Sequence, residues 1–181
     1  MFFRTILHML LSRRKSTLDV HDVGRLPLRV WPVDLDLLGH MNNGVYLSIM
    51  DLGRFDLLIR AGVWAKFQRV GYYPVVGSET ITFRKSLQPW QRFVLETRIV
   101  GYDGKAVYVQ QRFTVRGEIY AEGLIRARFL KRSGGVVTIA ELSELVGIDV
   151  SDFETPEWIT RWAADVALPP TRAEAPSDWS I

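Results

Sequence analysis

Cysteine is absent from this 181-residue chain. Its absence excludes disulfides, zinc–thiolate sites, iron–sulfur clusters and cysteine nucleophiles. Histidine is scarce as well, because only His8, His21 and His40 occur and the first two lie near the N-terminus. A histidine-rich metal site is therefore not expected. The sequence also shows no glycine-rich phosphate loop and no internal repeat, so we expect a protein that works without a metal or an organic cofactor.

Apolar runs long enough to cross a bilayer are lacking too. The apolar stretch at residues 1–11 is short, and its basic residues 13–15 follow it, which is not the order of a secretory signal. Its apolar positions recur at roughly helical spacing and predict an amphipathic helix in an N-terminal extension, residues 1–20. That helix either packs on the body of the protein or contacts an anionic membrane through residues 1–15. We expect a cytoplasmic protein, membrane-peripheral in the second case.

Acidic residues are sparse in the first three quarters of the chain. Residues 1–140 hold 21 Lys and Arg but 11 Asp and Glu, whereas residues 141–181 hold two basic and nine acidic residues. A basic body suits a phosphorylated or otherwise anionic partner. The alternative is a solvated surface on which the acidic C-terminal part folds back. Nucleic acid is not the expected partner, because paired acids beside an apolar helix argue against it.

Hydrophobic patterning predicts an α+β fold. Residues 26–33 are predicted as a strand, residues 44–61 as a long helix buried on most of its circumference, and residues 63–70 as a short second helix. Four antiparallel strands follow, with a hairpin turn at Asp103 and Gly104. They are predicted over residues 75–85, 93–99, 107–115 and 121–132. This order gives a five-stranded antiparallel sheet wrapped around one long central helix.

The predicted core occupies residues 21–135. A helical C-terminal extension is predicted over residues 136–168 and a flexible tail over residues 169–181. Within the extension, Thr138 and Glu141 have the spacing of a capping box. Thr155 is expected to cap a second helix that has Pro156 at its first position.

A polar cluster lies immediately before the long helix. Asp34, Asp36, His40, Asn42 and Asn43 stand among leucine, methionine and glycine residues. Carboxylates and imidazoles in apolar surroundings can have shifted pKa values, as acid–base chemistry requires. The helix start offers unpaired N–H groups to a carbonyl oxygen that gains negative charge. The alternative is structural, with the acids bracing the loop and an asparagine capping the helix.

This motif, together with Tyr46, resembles the loop–helix signature of the acyl-thioesterase branch of the hotdog superfamily. It is similar to 4-hydroxybenzoyl-CoA thioesterases and to fatty acyl-ACP thioesterases, and most of all to the thioesterase-superfamily member 6 type. The likeness covers roughly residues 25–165, and the predicted element order is that of the hotdog fold. The resemblance implies a thioesterase that cleaves a fatty or aromatic acyl-CoA, working as a homodimer or homotetramer.

The resemblance also assigns site residues. In the hydroxybenzoyl-CoA type the catalytic carboxylate matches Asp36, and the N–H that binds the thioester oxygen matches Asn43, with Gly44 beside it. The acyl-ACP type has a proposed Asp-x-Asn-x-His series, whose ends match Asp36 and His40. Leu38 stands where that series has Asn. His40 is therefore either a general base or a brace for the loop.

Substrate contacts are predicted in two groups. The acyl chain is expected to contact the apolar side chains of Tyr46, Met50 and Phe83. Strand residues of the partner subunit, among them Ser78 and Thr80, are expected to complete the site. Basic side chains are expected to bind CoA phosphates or an acidic acyl-carrier protein; they are Arg84, Lys85, Arg126 and Arg128. The structural alternative is that these residues form a solvated face of the sheet.

Two other functions stay open. One is a non-catalytic hotdog protein that binds an acyl group, a lipid or an acyl-carrier protein and has lost turnover. The other is a dehydratase-type hotdog enzyme, which the lack of an evident His-centred motif disfavours.

Overall fold

The computed structural model describes residues 2–151, 153–170 and 172–177, with side chains from Ile6 onward within those ranges. The strands are β1 Gly24–Arg29, β2 Tyr72–Phe83, β3 Arg92–Tyr102, β4 Ala106–Val115 and β5 Glu118–Lys131. The helices are α1 Phe2–Ser12, α2 Asn43–Arg60, α3 Val63–Val70, α4 Ile139–Val146 and α5 Glu157–Asp165. A 3-10 turn spans Pro32–Asp34. Among the described residues, no helix has the length and apolarity needed to cross a bilayer.

One antiparallel sheet in the order β1-β3-β4-β5-β2 forms the centre of the molecule, so β1 and β2 are its edges. Helix α2 packs on one face, where Ile49 and Leu52 are buried against a core that includes Leu95, Phe113 and Ile125. This arrangement confirms the predicted α+β fold of one long helix and five antiparallel strands.

Gly53 lets α2 approach the sheet closely. A Cβ atom at this position would lie 2.5 Å from Thr97 Oγ1 and 2.6 Å from Leu95 Cδ2, too close for either atom. Any other residue here would push the helix away from the sheet, so glycine is required by the packing.

The C-terminal extension contacts both faces of the sheet. Helix α4 joins the core on the α2 side through Ile139 and Leu142. Helix α5 covers the opposite face, where Ile159 is fully buried in a separate cluster with Tyr108 and Leu124. The capping box predicted at Thr138 and Glu141 is present, but the residues around α5 differ from the prediction.

Thr155 does not cap α5. Its hydroxyl accepts from the Tyr102 N–H and donates to the Tyr102 carbonyl, both at 2.8 Å, so it fastens the chain to the end of β3. Pro156 takes the N-cap position instead. The first strand also ends at Arg29 rather than Val33, because Pro32 starts the 3-10 turn.

Helix α1 packs on α2 through its C-terminal end. Ser12 donates to the Asp56 carboxylate at 2.6 Å, and the Lys15 ammonium lies 2.7 Å from the same oxygen. Leu7 and Leu10 are each 55% exposed, so the apolar side of α1 is only partly covered. Two apolar positions of the predicted helix, Phe2 and Phe3, have side chains outside the described residues, and the part of the predicted tail beyond residue 177 also lies outside them.

Candidate active site

The motif loop is a miniature antiparallel hairpin. The Asn42 N–H donates to the Asp34 carbonyl at 2.8 Å, and the Asp36 N–H donates to the His40 carbonyl at 2.9 Å. Gly39 closes the turn with φ +80°, a conformation that favours glycine, and its N–H donates to the Asp36 carbonyl. The hairpin therefore places Asp36 and His40 side by side at its tip.

Both oxygens of the Asp36 carboxylate are engaged. One lies 3.2 Å from His40 Nδ1, and the other accepts from the Leu38 N–H at 2.9 Å. The Asp36 side chain is still 25% exposed, and the leucines of the tip point into solvent. The carboxylate is thus fixed in orientation while a substrate can still reach it.

Asp34 has a different environment. It is 2% exposed, and one of its carboxylate oxygens accepts from the Trp31 N–H at 2.9 Å. Since its carbonyl also receives the Asn42 N–H, this residue holds the base of the hairpin to the start of α2.

The first turn of α2 leaves one donor available. Asn42 is the N-cap, and its side chain accepts from the Gly44 N–H at 2.8 Å. The Asn43 N–H meets no acceptor among the residues that the structure describes. Asp36 and Asp34 are two residues apart along the hairpin, which corresponds to about 7 Å. The Asp36 backbone therefore lies at roughly that distance from the Asp34–Asn42 pair, which leads into α2. The hairpin that carries Asp36 therefore leads directly into the first turn of α2, where the Asn43 N–H is available.

Tyr46 and Met50 lie in the core, at 1% and 0% exposure, rather than at a surface where substrate could bind. The Tyr46 hydroxyl accepts from the Leu87 N–H at 3.0 Å, and its ring packs edge-on against Phe83 and Phe113. Burial raises the pKa of the Tyr46 phenol, which keeps it neutral. These two residues therefore pack α2 against the core and do not contact a ligand at the surface, because their side of the helix is buried.

Comparisons with known proteins identify the family and the fold. The profile of the thioesterase-like superfamily matches residues 30–165. This chain belongs to the thioesterase-like superfamily. It is 37% identical to the THEM6 protein of Xenopus laevis over 99 residues, which are 55% of this chain and 48% of that protein. The chain thus spans about half the length of the curated relatives it matches.

Solved structures identify the fold. YbaW, a probable thioesterase from Escherichia coli, superposes with a TM-score of 0.63 at 21% identity, covering 67% of this chain and 95% of YbaW. SAV2348 from Staphylococcus aureus, solved in complex with CoA, gives 0.64 at 15% identity, covering 85% of this chain and all of SAV2348. The predicted hotdog fold is confirmed, and about a third of this thioesterase-like chain has no counterpart in YbaW.

Most of the basic side chains predicted to bind phosphate already have acidic partners in this thioesterase-like protein. Arg126 lies 2.7 Å from Asp103, and Arg84 and Lys85 each lie 2.8 Å from Glu118. Lys85 and Arg84 hold the pKa of Glu118 below its ordinary value. Binding of CoA phosphates at these residues would therefore require exchange of existing ion pairs. Arg128 is exposed on β5.

A second polar network lies at the middle of α2. Arg54 contacts Asp51 at 2.5 Å, Glu79 at 3.2 Å and Gln111 at 2.9 Å, so it joins α2 to β2 and β4. Gln111 is fully buried and donates to Thr97 Oγ1 at 2.8 Å. Sequence analysis missed Glu79 and Gln111, although a polar residue on the inward apolar face of β4 was a visible signal.

Ser78 and Thr80 lie on β2, where Ser78 is half-buried and Thr80 is exposed. They pair with Arg126 and Leu124 of β5. Because β2 is an edge strand, the side of its backbone that faces away from β5 has no neighbouring strand among the described residues. Within the part of the chain that the structure describes, no group of three histidine or carboxylate side chains is placed to hold a metal ion.

An apolar cavity of about 150 Å³ lies beside the C-terminal half of α2. Helix α4 closes one side of it, and Ser143 Oγ is buried there without a hydrogen-bond partner among the described protein atoms. Exposed Asp51 and Val76 also line it, so the cavity opens to the surface between α2 and β2. Other lining residues are Phe55, Leu58, Phe67, Ala127, Leu142 and Val146.

Proposed function

We propose that this protein hydrolyses an acyl thioester of CoA, with Asp36 as the catalytic carboxylate. The supporting observation is that an oriented and accessible carboxylate lies on the hairpin that leads directly into an 18-residue helix, at whose start the Asn43 N–H is available. The N-terminal end of a helix stabilises developing negative charge. Membership of the thioesterase-like superfamily supports the same reaction class.

The chemistry proceeds in two steps. Asp36 removes a proton from a water molecule as the water oxygen adds to the thioester carbonyl carbon, and the carbonyl oxygen becomes an oxyanion. The Asn43 N–H donates to that oxyanion, with Gly44 beside it in the first helical turn. Collapse of the intermediate breaks the carbon–sulfur bond, and the proton held by Asp36 passes to the leaving sulfur. Direct attack by the carboxylate on the carbonyl is the alternative route.

His40 contributes to this reaction by orienting the Asp36 carboxylate. Its Nδ1 lies within hydrogen-bonding distance of the carboxylate, which fixes the direction of the remaining lone pairs. We assign it as a positioning residue. The CoA moiety as substrate is supported by SAV2348, whose structure was solved with CoA. Fatty and aromatic acyl groups both remain candidates for the acid part, and we place the reaction in the cytoplasm.

A panel of acyl-CoA esters with detection of free thiol tests this function. Asp36→Asn keeps the size of the side chain but removes the base, so we expect the rate to fall by about 10²- to 10⁴-fold. Asp22→Asn is the matched control, because it makes the same change at an exposed loop carboxylate outside the hairpin. Equal rates for Asp36→Asn and wild type would refute the assignment.

A non-catalytic acyl-binding protein is the second candidate. It is favoured by one observation, that both Asp36 oxygens already accept or contact groups of the hairpin itself. In that case no thioester in the panel would release thiol, while equilibrium binding of acyl-CoA would persist in wild type and in Asp36→Asn. An acyl-carrier protein in place of CoA is tested by offering the same acyl groups on that carrier.

We further propose that the protein forms a homodimer through β2 and that a tetramer is a second possibility. Peripheral membrane contact through residues 1–15 is a separate proposal. It is supported by the exposed Leu7 and Leu10 of α1 and by the basic residues Arg13 and Arg14 that follow.

A further inference from the structure

The cavity beside α2 lies in line with the proposed catalytic hairpin. Gly44, Leu47, Ser48 and Asp51 are spaced by three or four residues and share one side of the helix. Leu47 is 36% exposed and the Asp51 side chain 54% exposed, so this stripe is open to solvent. It begins at the first turn of α2, where the thioester carbonyl is proposed to bind, and it ends at the mouth of the cavity.

The lining of the cavity suits a hydrocarbon chain. The α2 residues that line it are the ion-paired Asp51 and Arg54 at the mouth and the apolar Phe55, Leu57 and Leu58 beyond them. Phe67 of α3 and strand residues of β2 to β5 supply most of the rest. An apolar cavity of this size can hold a benzene-sized group. Ser143 Oγ is buried in this lining without a hydrogen-bond partner among the described protein atoms.

We propose that the far end of a long acyl chain occupies this cavity and that α4, through Leu142 and Val146, sets the chain length that fits. This inference rests on the proposed function, since it places the thioester carbonyl at the start of α2. It assigns to the C-terminal extension a specificity role. The chain would run along the Gly44 to Asp51 stripe and enter between Asp51 and Val76.

The dimensions define the substrate class. Seven residues separate Gly44 from Asp51, which is about 10 Å along a helix. A fully extended chain advances roughly 1.2 Å per bond, as an extended peptide does, so about eight bonds reach the mouth. A benzene-sized volume holds about six more carbons. The fitting acyl group therefore has roughly 12 to 16 carbons, and short or single-ring acyl groups do not reach the cavity.

Two substitutions change the volume of the cavity in opposite directions. Ala127→Phe fills it from β5, because the Ala127 side chain is buried and lines it. Leu142→Ala enlarges it from α4. Ala140→Phe is the matched control for the first, since Ala140 lies on the exposed side of α4 and does not line the cavity. Thermal unfolding of each variant identifies any that fails to fold.

The experiment measures both thiol release and equilibrium binding for acyl-CoA esters from 4 to about 18 carbons, a range set by the length estimate above. We expect wild type and Ala140→Phe to prefer roughly 12 to 16 carbons. Ala127→Phe should shorten the preferred chain and weaken the 16-carbon ester by about tenfold or more, whereas Leu142→Ala should lengthen it. A folding defect cannot produce shifts in opposite directions.

The two proposals fail in different ways. Absence of thiol release from every ester in wild type would overturn the hydrolytic function, but binding preferences that still shift with Ala127→Phe and Leu142→Ala would uphold the cavity assignment. A wild-type preference for short acyl groups would overturn the inference. An unchanged chain-length profile in folded Ala127→Phe and Leu142→Ala would overturn it as well.

Discussion

At the scale of single residues, burial and ion pairing have opposite effects on the pKa of the carboxylate that faces Arg54 of α2. Glu79 on β2 contacts Arg54, and its side chain is 18% exposed. Burial raises the pKa of the Glu79 carboxyl, and the nearby Arg54 offsets only part of this effect. In the folded protein the proton is therefore held at a pH where the unfolded chain has already lost it.

The sign of the resulting pH dependence is fixed. Because the folded pKa of Glu79 lies above its unfolded value, the folded state binds more protons in the interval between them, and stability falls as pH rises through it. We expect Glu79→Gln to remove this loss, so that its free energy of unfolding falls less than that of wild type between pH 4.5 and neutrality. Urea denaturation across this pH range measures the difference.

Glu118 is the matched control for Glu79, because pairing with Lys85 and Arg84 lowers its pKa instead. Stability from this exposed group is present above its unfolded pKa and is lost as pH falls toward the folded pKa. Glu118→Gln should therefore change the pH dependence in the opposite direction. Parallel stability curves for wild type and Glu79→Gln would contradict the assignment of Glu79.

Single residues also limit what the sequence predicts about the site. The sequence placed Asp36, His40 and Asn43 just before the long helix; Asp36 and His40 do lie in that loop, whereas Asn43 is the first residue of α2. The side-by-side pairing of Asp36 and His40 depends on a left-handed turn at Gly39, which no hydrophobic period encodes. Tyr46 and Met50 were predicted at the substrate, but a single sequence does not tell which side of a largely apolar helix remains open.

At the scale of elements, α1 is attached to the body by one buried carboxylate. Asp56 is 2% exposed and pairs with Lys15 at 2.7 Å and with Arg60 at 3.2 Å. Ser12 adds a hydrogen bond from the last turn of α1. A buried carboxylate whose partners come from two helices stabilises their docking, and its removal leaves uncompensated positive charge.

We expect Asp56→Ala to lower the free energy of unfolding by about 3 kcal/mol, because it breaks this buried cluster. Release of α1 should also speed trypsin cleavage after Arg13 and Arg14. Chemical denaturation and timed proteolysis measure the two effects. Asp51→Ala serves as the control, since its carboxylate is 54% exposed and its ion pair should contribute less than about 1 kcal/mol. Unchanged cleavage in Asp56→Ala would show that α1 is held by other contacts.

The order of the elements was readable from the sequence, whereas several of their contacts were not. The period-two alternation of the strands and the apolar length of α2 predicted a helix packed on a meander, and the turn at Asp103 and Gly104 marked a hairpin correctly. Thr155 looked like a helix cap because Pro follows it, yet the end of β3 offers its hydroxyl two backbone groups. Closure of a cavity by α4 is a tertiary contact that local patterns do not specify.

At the scale of the whole molecule, the two edges of the sheet differ. Edge strand β1 carries Arg25, Pro27 and Arg29, which are features that discourage pairing with another chain. Edge strand β2 is twice as long, 12 residues against six, and its exposed side chains include Tyr73 and Val76. A long edge of this kind is a template for pairing, so the homodimer is proposed to form through β2.

The absence of cysteine makes this dimer straightforward to test. We expect wild type to sediment as a dimer, and single substitutions Ser78→Cys, Thr80→Cys and Thr82→Cys to place cysteines on strands that pair across the interface. Antiparallel strands bring residues near a twofold axis to about 5 Å between Cα atoms, within the range of a disulfide. At least one of the three should therefore form a covalent dimer on mild oxidation, seen by non-reducing electrophoresis. Pro27→Cys, on the other edge, should keep the non-covalent dimer but show no covalent dimer on the same non-reducing gel, and preferential cross-linking there would move the interface to β1.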